Sequence, residues 1–163
     1  MNPFPSSGRI AAFDFGTVRI GVAVCDPDWI LASPLVVLDG KDYRSSGDQY
    51  QQIVSEERVQ GIVVGLPVHA DGNESPSSKL ARAFAQWLTE QLDVPVRLFD
   101  ERFTTVDASA RMRGGGYSRQ KKKQRIDAVA ASVLLESFLE ACRYRGQIVG
   151  SDARSVSEED SLE

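Results

Sequence analysis

The stretch from Arg9 to Val24 constrains this chain most. It reads as an apolar run, a carboxylate at Asp14, a turn through Gly16 and Thr17, and a second apolar run from Ile20. Side chains alternate along a strand, so Ile10, Ala12 and Asp14 share one face. Both runs are apolar on both faces, which predicts a hairpin of two central strands covered on each side. Asp14 then stands at the end of a packed strand. Turn formation alone would explain an Asp there, so its meaning depends on where the other carboxylates fall.

A chain of 163 residues, 42% of them hydrophobic, is expected to form one domain with a core of its own. No apolar run approaches the roughly 20 residues of a membrane span, and Met1 to Ser7 lacks the regions of a signal peptide. Cys25 and Cys142 are far apart without metal-ligand spacing, as expected of reduced thiols in a cytoplasmic protein. One histidine, His69, argues against a histidine-built metal site or triad; it reads as a loop residue.

The net charge of -4 is carried by the last residues: 151–163 hold five acids against Arg154, while 1–150 hold 18 basic and 18 acidic residues. Within that neutral body, Arg111 to Arg125 contains seven basic residues and no acid. Such a stretch is either a solvated helix entrance or a polyanion site.

Residues 1–8 read as a flexible lead-in, 9–146 as the folded domain, and 147–163 as an acidic disordered tail. Strands are expected at about 9–15, 19–25 and in the run from Trp29 to Leu38, where Pro34 points to a break or an edge position. A helix over 48–58 carries Tyr50, Ile53 and Val54 on its stripe, and Gly61 to Gly65 reads as a buried strand. Ser75-Pro76 opens a second helix with a cap and a first-turn proline. Leu80, Phe84, Trp87, Leu88 and Leu92 form its apolar face. A strand at Val96–Phe99 follows, then a short helix from Thr104 or Thr105 to about Met112, broken by Gly114–Gly116. The last helix begins between Ser118 and Gln124, with Ile126, Val129, Ala130, Val133, Leu134, Ser137 and Phe138 on its stripe. This order predicts an α/β fold: a mixed five-stranded sheet, made of a three-strand antiparallel meander plus two parallel strands, with helices on both faces.

Asp14 ends the first strand, Glu101 follows the fifth beside Asp100, and Asp127 lies early in the last helix. Ligand crevices of such sheets open at the carboxyl ends of parallel strands. If strands one and five are neighbours or nearly so, Asp14 and Glu101 meet there. Ala130 and Ala131 beside Asp127 would let the helix approach the sheet. The bland alternatives are an acid placed at a helix start and a surface pair of Glu101 with Arg102. Converging carboxylates repel one another unless a cation sits among them. An all-oxygen set favours Mg²⁺ or Mn²⁺. Two such ions activate water and stabilise the leaving oxygen at a phosphodiester.

Four blocks carry a resemblance: Asp14-Phe-Gly-Thr-Val-Arg-Ile-Gly-Val-Ala-Val, Gly65-Leu-Pro with Asp71-Gly72, Asp100-Glu-Arg-Phe-Thr-Thr105, and Lys121-Lys-Lys-Gln-Arg-Ile-Asp127-Ala-Val-Ala-Ala131. In order and over about residues 9–143, they resemble the YqgF family, a bacterial group similar to Holliday-junction resolvases and described as pre-16S rRNA nucleases. The resemblance implies a ribonuclease H-like fold, with Asp14, Glu101 and Asp127 as catalytic metal ligands. It also implies a cytoplasmic role in maturing the 5′ end of 16S rRNA. Thr17, Arg19, Arg102, Arg119, Lys121, Lys122, Lys123 and Arg125 are the candidate nucleic-acid contacts. The expected partner is structured RNA, with branched DNA as the alternative, and the chain is expected as a monomer or weak homodimer. Competing readings are a Holliday-junction resolvase, a nucleic-acid-binding factor without chemistry, and an actin-like phosphotransferase. The last is opposed by a length that makes only one lobe.

Overall fold

The computed structural model describes residues 3–67, 75–101 and 119–154, with 119–125 described by their backbone alone. Strands β1 (Arg9–Asp14), β2 (Arg19–Cys25) and β3 (Ala32–Asp39) form the antiparallel meander. Helix α1 (Gly47–Glu56), β4 (Val59–Leu66), α2 (Pro76–Gln91), β5 (Val96–Asp100), α3 (Arg119–Arg145) and β6 (Ser151–Asp152) follow. The sheet order is β3-β2-β1-β4-β5-β6, with β4 parallel to β1 and β5 parallel to β4. β3 lies at one edge, as Pro34 requires, and the β2–β3 register slips opposite it, between Val22 and Ala23. Ser75 caps α2 as expected, its hydroxyl accepting from the Ser78 amide at 3.1 Å.

The two faces of the sheet differ in the size of what they carry. Ala11, Phe13, Ile62, Val64 and Leu98 face α1 and α2. There Phe13, Phe15, Tyr43, Tyr50, Phe84 and Trp87 interlock with ring centroids about 5–6 Å apart. Ile10, Ala12, Ala23, Val63 and Phe99 face α3 through Ala131, Leu134, Leu135 and Phe138. Small residues there bring α3 down onto β1 and β2, and burying its large side chains contributes about 1.5–3 kcal/mol each.

Three expectations are corrected. The sheet has six strands, because residues 147–152 turn back onto β5 within the segment expected to be a disordered tail. A two-residue strand has no periodicity to read. Gly146 (φ +66°) and Gly150 (φ +84°) make the turn. Arg97 holds it by donating to the Val149 carbonyl at 3.2 Å and the Gly150 carbonyl at 2.6 Å, and Ala153 is fully buried. The lead-in is not loose along its whole length, since Phe4 packs edge-on against Phe138 and lies over Gly61. Leu80 and Ile126, assigned to apolar stripes, are exposed. Ala81 and Ala85 take the buried face of α2 in place of Leu80, and Ile126 stays exposed although the next residue, Asp127, lies against the sheet at Gly21.

Among the described residues, no helix is long and apolar enough to cross a membrane. Cys25 and Cys142 are buried and free. His69, Arg102, the helix expected over 104–112 and Gly114–Gly116 lie outside the described residues.

Candidate active site

Asp14 continues the face of Ile10 and Ala12, so it stands on the α3 side at the carboxyl end of β1. Glu101 follows β5 directly. These two strands are not neighbours: β4 lies between them. Strands lie about 4.8 Å apart, so the carboxyls can meet only across β4. They do so over Gly65. A β-carbon at Gly65 would collide with the Glu101 carboxylate oxygen and lie 3.0 Å from its Cγ. The bare glycine is the channel through which Glu101 reaches Asp14, and the two side chains are hydrogen-bonded.

Asp127 arrives from the opposite direction. Gly21 of β2 is the register partner of Asp14, and a β-carbon at Gly21 would collide with the Asp127 backbone carbonyl. The closest approach of α3 is therefore at Gly21, supported by the buried Ala128 and Ala131, while Ala130 is only half-buried. The Asp127 carboxylate accepts from Arg19 Nε at 2.6 Å. It also lies near enough to act on Asp14 through its charge.

Burial and mutual repulsion dominate the electrostatics. Loss of hydration is the largest influence on Asp14 and raises its pKa; the hydrogen bond with Glu101 opposes this and the Asp127 charge adds to it. Glu101 is pushed from 4.5 up to about 8, first by burial and then by the charge of Asp14, with Asp100 contributing. Both acids are raised, so at neutral pH the pair holds a proton between its two carboxyls. Such a pair provides hard oxygen donors and an excess of negative charge, the chemistry a divalent cation satisfies. Among the described residues, no three acidic, cysteine or histidine side chains are grouped as a ligand set, and Asp127 is engaged by Arg19.

Of the candidate nucleic-acid contacts, Thr17 is exposed on the β1–β2 turn, next to the acids. That turn is braced by Gly40, whose amide donates to the Val18 carbonyl at 2.9 Å and whose missing side chain leaves room for the Gly16 carbonyl. Arg19 begins β2 and faces Asp127. Arg119, Lys121, Lys122, Lys123 and Arg125 lie in the first turns of α3, which lead into Asp127. Arg102 lies outside the described residues. Gly21 and Gly65 fall within the first two motif blocks, but neither was assigned a role from the sequence. A glycine inside an otherwise apolar strand is the available signal, since it marks close approach of another group.

A mixed sheet with acids at the carboxyl ends of its parallel strands and a helix closing over them defines the ribonuclease H-like fold. Thermus thermophilus RuvC in complex with a Holliday junction substrate shares it, with a TM-score of 0.55 at 14% identity, covering 88% of this chain and 98% of that one. Thermus thermophilus RuvC from a second structure gives 0.52 at 12% identity, covering 88% and 99%. Residues 8–141 match the model of the RuvX family, described as Holliday junction resolvase, and the chain belongs to that family. A protein of Rhodopirellula baltica named "Putative pre-16S rRNA nuclease" is 55% identical over 160 residues, spanning 98% of this chain and 92% of its own length. One of the same name from Streptomyces avermitilis is 42% identical over 150 residues, spanning 91% and 96%.

Proposed function

We propose that this chain is a divalent-metal-dependent endonuclease that hydrolyses a phosphodiester in the 5′ region of pre-16S rRNA in the cytoplasm. The observation that carries the reading is the reach of Glu101 across Gly65 to Asp14, beneath the helix that brings in Asp127. Nothing in the packing of the core calls for three acids there.

In this reading Asp14, Glu101 and Asp127 are the catalytic residues and hold Mg²⁺ or Mn²⁺. The bound ions supply an activated water and charge stabilisation for the leaving oxygen. Asp14 and Glu101 orient that chemistry from the sheet, and the rigid β1–β4–β5 ladder fixes their separation. The pair gives up its shared proton when the site is loaded. Thr17 and Arg19 contact phosphate beside the acids. Arg102, Arg119, Lys121, Lys122, Lys123 and Arg125 follow the substrate backbone, an interaction that weakens as salt rises.

A second reading, a resolvase of branched DNA, is favoured by the family's description and by the fold of RuvC. One experiment separates them. A labelled precursor of the 16S 5′ region and a four-way DNA junction are incubated with the protein in Mg²⁺, Mn²⁺ or EDTA, with Asp127→Asn alongside. Metal-dependent cutting of the RNA alone, lost in the variant, is the expected result. Cutting of the junction alone moves the function to recombination and calls for a dimer. Salt-sensitive binding of both without cleavage leaves a binding factor.

A further inference from the structure

The third acid is held apart from the other two. Asp14 and Glu101 are hydrogen-bonded to each other, whereas Asp127 Oδ2 accepts from Arg19 Nε at 2.6 Å. The two partners come from opposite ends of the chain, Arg19 at the start of β2 and Asp127 in α3, and Gly21 lets the helix down far enough for them to meet. Both side chains are about one third exposed, at 38% and 28%. An ion pair open to solvent on this scale is weak and readily exchanged. Among the described residues, Asp127 is the one partner of the Arg19 guanidinium, and its two terminal amino groups make no other hydrogen bond. That leaves a planar fork, suited to a phosphate, beside the acids.

We propose that Arg19 is a positioning residue that holds Asp127 in the ion-free protein and releases it when the acids take up a divalent ion, turning its own guanidinium to the substrate phosphate. The proposal rests on the nuclease reading. Arg19 is then a stand-in cation. It keeps Asp127 ordered while the site is empty, and ion uptake and phosphate capture become one exchange of partners. A guanidinium cannot coordinate a metal, so Arg19 competes with the ion for Asp127 without joining the ligand set.

The test is nuclear magnetic resonance of the full chain, following the Arg19 Nε–Hε signal during titration with Mg²⁺. In EDTA the signal of the wild type should differ from that of Asp127→Asn, reporting the bond. Saturating Mg²⁺ should move it toward the Asp127→Asn position, in step with the backbone amides of Asp14 and Glu101. If those amides move and Arg19 does not, the exchange is wrong and the metal site stands. If none moves, both fall. Calorimetry with Mn²⁺ gives a second reading. Arg19→Gln should bind the ion severalfold tighter than wild type, yet bind the RNA precursor more weakly and cleave it more slowly. Unchanged or weaker Mn²⁺ binding overturns the proposal, because a purely structural or ligand-orienting Arg19 would give that result.

Discussion

Glu101 lies across the bare Cα of Gly65, and that crossing joins the end of β5 to Asp14 on β1. Replacing Gly65 with alanine puts a methyl group where the Glu101 carboxylate now rests. The side chain is flexible and sits at the rim of the sheet, so it can swing aside without disturbing the ladder. Gly65→Ala should therefore lose activity on the RNA precursor by about 100-fold, the cost of misplacing a reacting group by about 1 Å. Its unfolding temperature should change by only a few degrees. Single-turnover cleavage and a thermal melt on the same preparation test this, and a wild-type rate would show that Glu101 need not cross β4.

Gly21 plays the corresponding role for Asp127, but its neighbour is backbone and cannot swing away. Gly21→Ala should push α3 off β2 and cost about 1–3 kcal/mol, as overpacking a tight core does. Activity should fall with stability, in contrast to Gly65→Ala. Urea denaturation of the two variants side by side makes the comparison. Equal stability would mean that α3 rides over β2 more loosely than the small residues beneath it indicate.

This contrast also shows what was legible in the sequence. The strands, the capped α2 and the alternation that puts Asp14 on the face of Ile10 and Ala12 follow from local pattern. The meeting of Asp14 with Glu101 was expected from strands that are neighbours or nearly so, and it happens with one strand, β4, between them. No local rule shows which strand lies between two others, so the need for Gly65 was hidden. Of the two alanines expected to let α3 approach the sheet, Ala131 is fully buried and Ala130 only half-buried, and Gly21 supplies the close contact from the other element. A helix face can be read from its own residues, while the surface that receives it cannot. β6 escaped notice for a different reason, since Arg97 and two positive-φ glycines define it where hydrophobic spacing is absent.

The Asp14–Glu101 pair makes stability depend on pH. Glu101 in the folded protein keeps its proton up to about 8, while in the unfolded chain it releases it near 4.5. The folded form thus binds more protons between those values, so this contribution is complete below about pH 4.5 and is lost as pH rises toward about 8. Asp14 is shifted in the same direction. In EDTA the urea midpoint should fall across this window. Glu101→Gln should flatten the dependence, and Mg²⁺ should offset the fall by satisfying the charge. A midpoint rising with pH in EDTA, with the rise lost in Glu101→Gln, would show that the pair does not hold that proton.

Ala153 provides a last test, away from the acids. It is fully buried, and its amide donates to the Val96 carbonyl at 3.0 Å, extending the short ladder of β6. Covering β5 in this way removes an open edge that could otherwise pair with another chain. Ala153→Asp would place a charge without a partner in the cluster formed by Val96, Leu98 and Leu92. The unpaired charge should cost about 3 kcal/mol or more if β6 stays docked. The cheaper response is for β6 to leave β5, so the measured loss should be smaller and accompanied by faster amide exchange at Ser151 and Ala153. Hydrogen exchange on wild type and variant reads this directly. Equally fast exchange in wild type and variant, with unchanged stability, would mean that residues 151–153 are not docked as the buried Ala153 requires.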